Sequence, residues 1–145
     1  MKKTQINGLV FAVLSIIFGI VLIVIGCKEA AVDTSVPADE KVFDNMMLTV
    51  PGIVLILDSL VFAFRDKLFR SSAGFLIGNF AIVLLGGIIM EIVYFQFLYY
   101  GLSRPQYKLA FGGALIMLVY AVAILVVSAV FELTNRTMKQ SGGAK

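Results

Sequence analysis

Histidine is absent from these 145 residues, cysteine occurs once, proline three times, and charged side chains make up only 14%. Each shortage excludes something. Without His the chain lacks the commonest general base, proton shuttle and metal ligand. A single Cys makes no intrachain disulfide and excludes CxxC redox chemistry and cysteine-rich zinc sites. An enzyme built from this chain would have to work with carboxylates, hydroxyls and tyrosines, and no nucleophile–base–metal set stands out among them. The expectation is a non-enzyme with no cofactor and no metal. The net charge of +3 does not point to nucleic acid, because the basic residues gather at the ends of apolar runs, as in membrane proteins.

Apolar side chains fill the space the others leave. They make up 60% of the chain, against about 45–50% in soluble domains. The longest uninterrupted stretch runs from Gly74 to Tyr100 and holds no Lys, Arg, Asp or Pro. As a helix it would reach roughly 40 Å, against a hydrocarbon core of about 30 Å. Three further runs resemble it. The pattern predicts an all-α, polytopic integral membrane protein: one domain over residues 1–145, a bundle of four transmembrane helices near 6–27, 46–64, 74–100 and 109–131. This plan is common to many small bacterial membrane proteins. No internal repeat relates its halves, so nothing suggests an inverted-repeat transporter.

The first run admits two readings. Lys2 and Lys3 before an apolar stretch from Leu9 to Ile25 suit a first membrane helix. Val24-Ile25-Gly26-Cys27 also fits a bacterial lipobox, in which Cys27 would be lipidated after cleavage. A run longer than the 7–15-residue core of a signal peptide favours the retained helix. Its small residues Gly8, Ala12, Ser15, Gly19 and Gly26 fall on one face and predict a close helix contact. Residues 28–45 follow, with Glu29, Asp33, Asp39, Glu40 and Asp44 against Lys28 and Lys41, and read as an acidic external loop.

The second span takes Asp44 or Asn45 as its cap, carries Pro51-Gly52 in its first turns, and holds Asp58. The third holds a GxxxG match at Gly74 and Gly78, a central pair Gly86-Gly87, the carboxylate Glu91, and an aromatic belt from Tyr94 to Tyr100. The fourth presents Ala110, Ala114, Ala121 and Ser128 on one face. Beyond it, Glu132 to Lys145 reads as a polar tail.

Counting Lys and Arg by side sets the orientation. With both termini and the Arg65–Arg70 connector inside, eight cations lie inside and four outside. Both termini are therefore expected in the cytoplasm, and the chain in the plasma (inner) membrane.

Asp58 and Glu91 are the only carboxylates within the expected spans, and residues of that kind are functional candidates. Asp58 falls about 10 Å from the inner boundary and Glu91 roughly 25 Å, too far apart to share a proton. Ser15, Asn79 and Ser128 come to the level of Asp58 and form a candidate polar layer. Glu91 is expected level with Met117, at the outer interface or against another subunit. The functional expectation is a non-catalytic accessory or structural subunit whose partners are the lipid bilayer and other membrane subunits, or further copies of itself. The alternative is a small ion- or proton-coupled transporter or channel using Asp58 or Glu91.

Overall fold

A computed structural model describes residues 3–32, 38–94 and 107–142. Its elements are all helical: α1 (Lys3–Val32), α2 (Ala38–Ala63), α3 (Arg65–Leu68), α4 (Ser72–Val93) and α5 (Tyr107–Gly142). Four helical stretches, Lys3–Lys28, Phe43–Ala63, Ser72–Val93 and Phe111–Ser141, are long and apolar enough to cross a membrane. A helix suits such runs because it pairs every interior backbone N–H and C=O within the segment.

Several boundaries differ from the sequence reading. The acidic stretch 28–45 is mostly helical, since α1 runs on to Val32 and α2 begins at Ala38; residues 33–37 lie outside the described residues. Asp44 and Asn45 are thus interior to α2 and cap nothing. Asn45 instead accepts a hydrogen bond from Thr49 one turn on. Pro51-Gly52 accordingly lies in the middle of α2 and not near its start, and the helix continues through it. The expected polar tail is helical as far as Gly142, because α5 extends its 3.6-residue pattern through Glu132, Asn135 and Lys139. Of the expected third span, 74–100, helix α4 covers the part up to Val93, and the aromatic belt beyond Tyr94 lies outside the described residues.

Helix α2 is the centre of the bundle, with most of its apolar window buried by α1, α4 and α5. The small face of α1 explains the closest pairing. Gly8 meets the carbonyl of Phe62, Gly19 meets that of Gly52, and Gly26 meets Thr49 and Asn45. A Cβ at Gly19 would stand 2.6 Å from the Gly52 oxygen, and one at Gly52 would stand 2.7 Å from the Gly19 oxygen. The two backbones touch, which only glycine permits.

Helices α4 and α5 run antiparallel, with Phe75 beside Phe131, Asn79 beside Ser128, Gly87 against Met117 and Glu91 against Gly113. Among the described residues the GxxxG match joins no two helices. Ser71 caps α4 by accepting from the Gly74 N–H at 3.0 Å, and Gly78 lies under the Phe69 ring of the connector. Gly86 faces open space, so only Gly87 of the central pair makes a contact.

Two apolar clusters fill the interior. One joins Val54, Val83, Met117 and Ala121; the other is aromatic, with Phe11, Phe62, Phe69, Phe75 and Phe131 at centroid distances of 5.1 to 5.8 Å. Tilted and edge-on rings of this kind add about 0.5–1.5 kcal/mol per pair beyond burial.

Candidate functional site

Between the two apolar clusters lies a layer of polar side chains from three helices: Asp58 on α2, Asn79 on α4 and Ser128 on α5. Asp58 is 1% exposed, and Asn79 and Ser128 are fully buried. Their placement follows from helical spacing. Asp58 lies between Leu55 and Val61 on the packed side of α2, Asn79 one turn past Phe75, and Ser128 one turn before Phe131.

Asn79 Nδ2 donates to Ser128 Oγ at 3.0 Å. Its other end, Oδ1, has no partner among the described residues, and neither has Asp58 Oδ1 or Oδ2. Asn79 lies near enough to act on the carboxylate, yet no donor is aligned with either of its oxygens. Three buried acceptors therefore share one small region, and the donors within it, Asn79 Nδ2 and the Ser128 hydroxyl, are not aligned with them. Such groups are costly unless satisfied. Three arrangements would satisfy them. A protonated Asp58 would donate its O–H to Asn79 Oδ1. A rotated amide would give Nδ2 to the carboxylate and take the Ser128 hydroxyl on Oδ1, since amide orientation follows from the network around it. A small cation would bind all three oxygens, as hard cations prefer. The first takes up a proton and the third a cation, whereas the second needs neither.

Ser15 does not join this layer. Its hydroxyl donates to the Leu55 carbonyl at 2.7 Å and holds α1 on α2. That contact serves cohesion, worth about 0.6 kcal/mol in a membrane.

Glu91 sits elsewhere, 12 residues along α4 from Asn79, or about 18 Å. It is 4% exposed and buried within its own chain. It lies against Gly113, whose missing side chain makes the room: a Cβ there would stand 2.6 Å from Oε2. This places it one turn along α5 from the expected Met117 level, because Met117 packs on Gly87 instead. Its side chain is thus turned into its own chain, two residues from the end of α4. Cys27 is exposed on α1.

A second polar cluster, unforeseen in the sequence, closes the end of the bundle that carries both chain ends. Arg65 Nε donates to Glu132 Oε1, Ser72 Oγ donates to Glu132 Oε2 at 2.7 Å, and Arg65 also pairs with Asp66 at 3.1 Å. The Arg65 guanidinium stands 5.6 Å over the Phe75 ring. Nearby, Asn7 Nδ2 donates to Asn135 Oδ1 at 2.9 Å, tying the start of α1 to the last turns of α5. Glu132 and Asn135 were legible only as a tail, because nothing local says that α5 continues. Gly113 had a faint signal, a Gly112-Gly113 pair about one turn before Met117 on the helix facing Glu91.

Among the described residues no group of three or more Cys, Asp or Glu is gathered to hold a metal ion. No known protein family, curated protein or solved structure matches this chain.

Proposed function

We propose that the protein is a four-span integral membrane protein that works as a small proton- or cation-coupled transporter or channel, with Asp58 as the group that exchanges the ion. The basic end, with both termini, faces the cytoplasm across the plasma membrane, by the usual bias of Lys and Arg. The observation that carries the reading is the orphaned carboxylate: Asp58, 1% exposed, with both oxygens unpartnered beside an unpartnered amide oxygen. A purely cohesive polar residue would use its hydrogen-bonding capacity, as Ser15 and Asn135 do. A charged carboxylate at mid-helix costs about 2.5–3.5 kcal/mol on insertion scales, and no described residue supplies a cation beside it. An ionisable group placed inside a span at that cost is a functional candidate by default.

Burial of Glu91 inside its own chain supports the same reading, because it leaves little of the carboxylate for a partner subunit to reach. With Asp58 in the half of the bundle near the basic end and Glu91 toward the other, the two carboxylates are separate stations and not a shared-proton pair.

The test is proton and sodium flux into liposomes that hold only this protein. Wild type is expected to carry flux, and Asp58→Asn, which keeps shape and hydrogen bonding, is expected to abolish it while the fold is kept; Glu91→Gln is expected to slow it. Folded wild type without flux, recovered in mild detergent with stoichiometric partners, would overturn the proposal in favour of the accessory subunit.

A further inference from the structure

Helices α1 and α5 touch at the basic end, through Asn7–Asn135 and Phe11–Phe131, and then part. Between them, over α2, they leave a cavity of about 410 Å³ lined by apolar side chains and by Ser15, whose hydroxyl is taken up by the Leu55 carbonyl; Phe11, Phe18 and Val21 of α1 face Ile124 and Val127 of α5, with Phe62 at its foot. From Phe11 to Val21 the cleft follows about 15 Å of helix. That is half of a hydrocarbon core of about 30 Å, the depth of one leaflet.

Phe62 also lines a second, smaller hollow directly at the basic end. Its walls are polar: Thr4, Gln5, Arg65, Asp66 and Lys67, with Phe131 shared from the aromatic cluster. The two spaces share Phe62 as a wall, with the Phe11, Phe62 and Phe131 rings between them; the cleft is apolar along its length and the hollow beyond it is cationic. The charge at the mouth is available. Both acidic side chains there, Asp66 and Glu132, bind Arg65. Lys67, exposed and resting 5.6 Å over the Phe64 ring, forms no ion pair with a described residue. Lys3, Arg70, Arg136 and Lys139 stand at the same end, likewise without an acidic partner among the described residues.

We infer that the α1–α5 cleft and the basic end below it bind one anionic phospholipid of the cytoplasmic leaflet, with an acyl chain in the cleft and the phosphate at Lys67. Length, lining and sign of charge each select that occupant. A zwitterionic lipid would fill the cleft equally but gain less at the mouth. A partner helix would match the cleft but not its cationic end, and anionic headgroups are what a basic cluster beside a span attracts. Thr4 and Gln5 add hydroxyl and amide groups at headgroup level. The inference rests on the membrane-spanning reading and is independent of the Asp58 site.

The experiment is native mass spectrometry of the full chain in detergent, after mixing with phosphatidylglycerol or with phosphatidylcholine of the same acyl chains. One phosphatidylglycerol per chain is expected to be retained, at least tenfold more tightly than phosphatidylcholine. Lys67→Glu is expected to reduce that preference to near unity and leave phosphatidylcholine retention unchanged. Val127→Phe, which fills the cleft from a half-exposed position, is expected to weaken both lipids. Circular dichroism and a single elution peak establish that the variants fold. Equal retention of the two lipids by wild type would overturn the inference, as would a Val127→Phe chain that binds both as wild type does. Loss of flux in Asp58→Asn with lipid retention intact separates this site from the ion site.

Discussion

Replacing Gly19 by Ala is the sharpest test of how the bundle is held. The new Cβ would lie 2.6 Å from the Gly52 carbonyl oxygen and 2.7 Å from Ile56 Cγ1, where ordinary contact begins at 3.4 Å. The carbonyl is backbone and cannot rotate away. Helices α1 and α2 must separate by something near the missing 0.8 Å, and the separation is felt at Gly8 and Gly26 on the same face. Overpacking of this kind costs about 1–3 kcal/mol. It acts against the gain of roughly 0.5–1 kcal/mol that Ala gives over Gly inside a helix. Gly86→Ala is the internal control, because it carries the same propensity gain and its Cβ meets nothing within 4 Å. The assay is reversible unfolding in mixed micelles, followed by helix content. Gly86→Ala is expected to be neutral or slightly stabilising, and Gly19→Ala to be less stable by about 1–2 kcal/mol, a factor of 5 to 30 in the equilibrium. Equal stability of the two variants would refute the backbone contact between α1 and α2.

The same measurement reads three other places, and topology a fourth. Glu132→Ala strips Arg65 and Ser72 of a shared acceptor and is expected to cost about 2 kcal/mol, as for hydrogen bonds to charged groups; Glu132→Gln, which still accepts, should cost less. Gly113→Ala places a Cβ 2.6 to 2.9 Å from the Glu91 carboxylate atoms. Its cost of about 1–3 kcal/mol should fall away in a Glu91→Ala background, and a cost that persists there would dissociate the two residues. Phe62→Ala removes the ring that touches Phe11, Phe75 and Phe131, with an expected loss of about 3 kcal/mol. A fluorescent reporter after Lys145 is expected to mature in the cytoplasm, and a periplasm-active reporter between Thr34 and Ala38 to work outside; a cytoplasmic signal from the second would reverse the orientation.

The four long apolar helices could be read from residue order alone, because a run of some twenty apolar residues has one economical way to pair its backbone. The packing of α1 through Gly8, Gly19 and Gly26 was equally legible, since spacing puts small residues on one face. Charge near the spans marked the end that carries Arg65, Lys67 and Arg70. Helix ends were not legible. Asn45, Glu132 and Asn135 look like cap and tail residues by type, and it is across the bundle that they find their partners, Asn45 against Gly26, Glu132 with Arg65 and Ser72, and Asn135 with Asn7.

Register and rotation belonged to the assembled bundle. Counting along α4 and α5 cannot say whether Glu91 meets Met117 or Gly113, a difference of one turn. That turn is decided by where Met117 finds room, over Gly87, and by the absent side chain of Gly113. Asp58, Asn79 and Ser128 were legible as a common level, because depth follows from counting along each helix. Ser15 shares that level and yet spends its hydroxyl on Leu55, because rotation about the α1 axis is set by the glycine contacts with α2. The unpartnered oxygens of Asp58 and Asn79, and the union of Arg65 with Glu132 across 67 positions of chain, are facts of three dimensions. Side-chain direction there is fixed by the packing of four helices at once, which no single helix encodes.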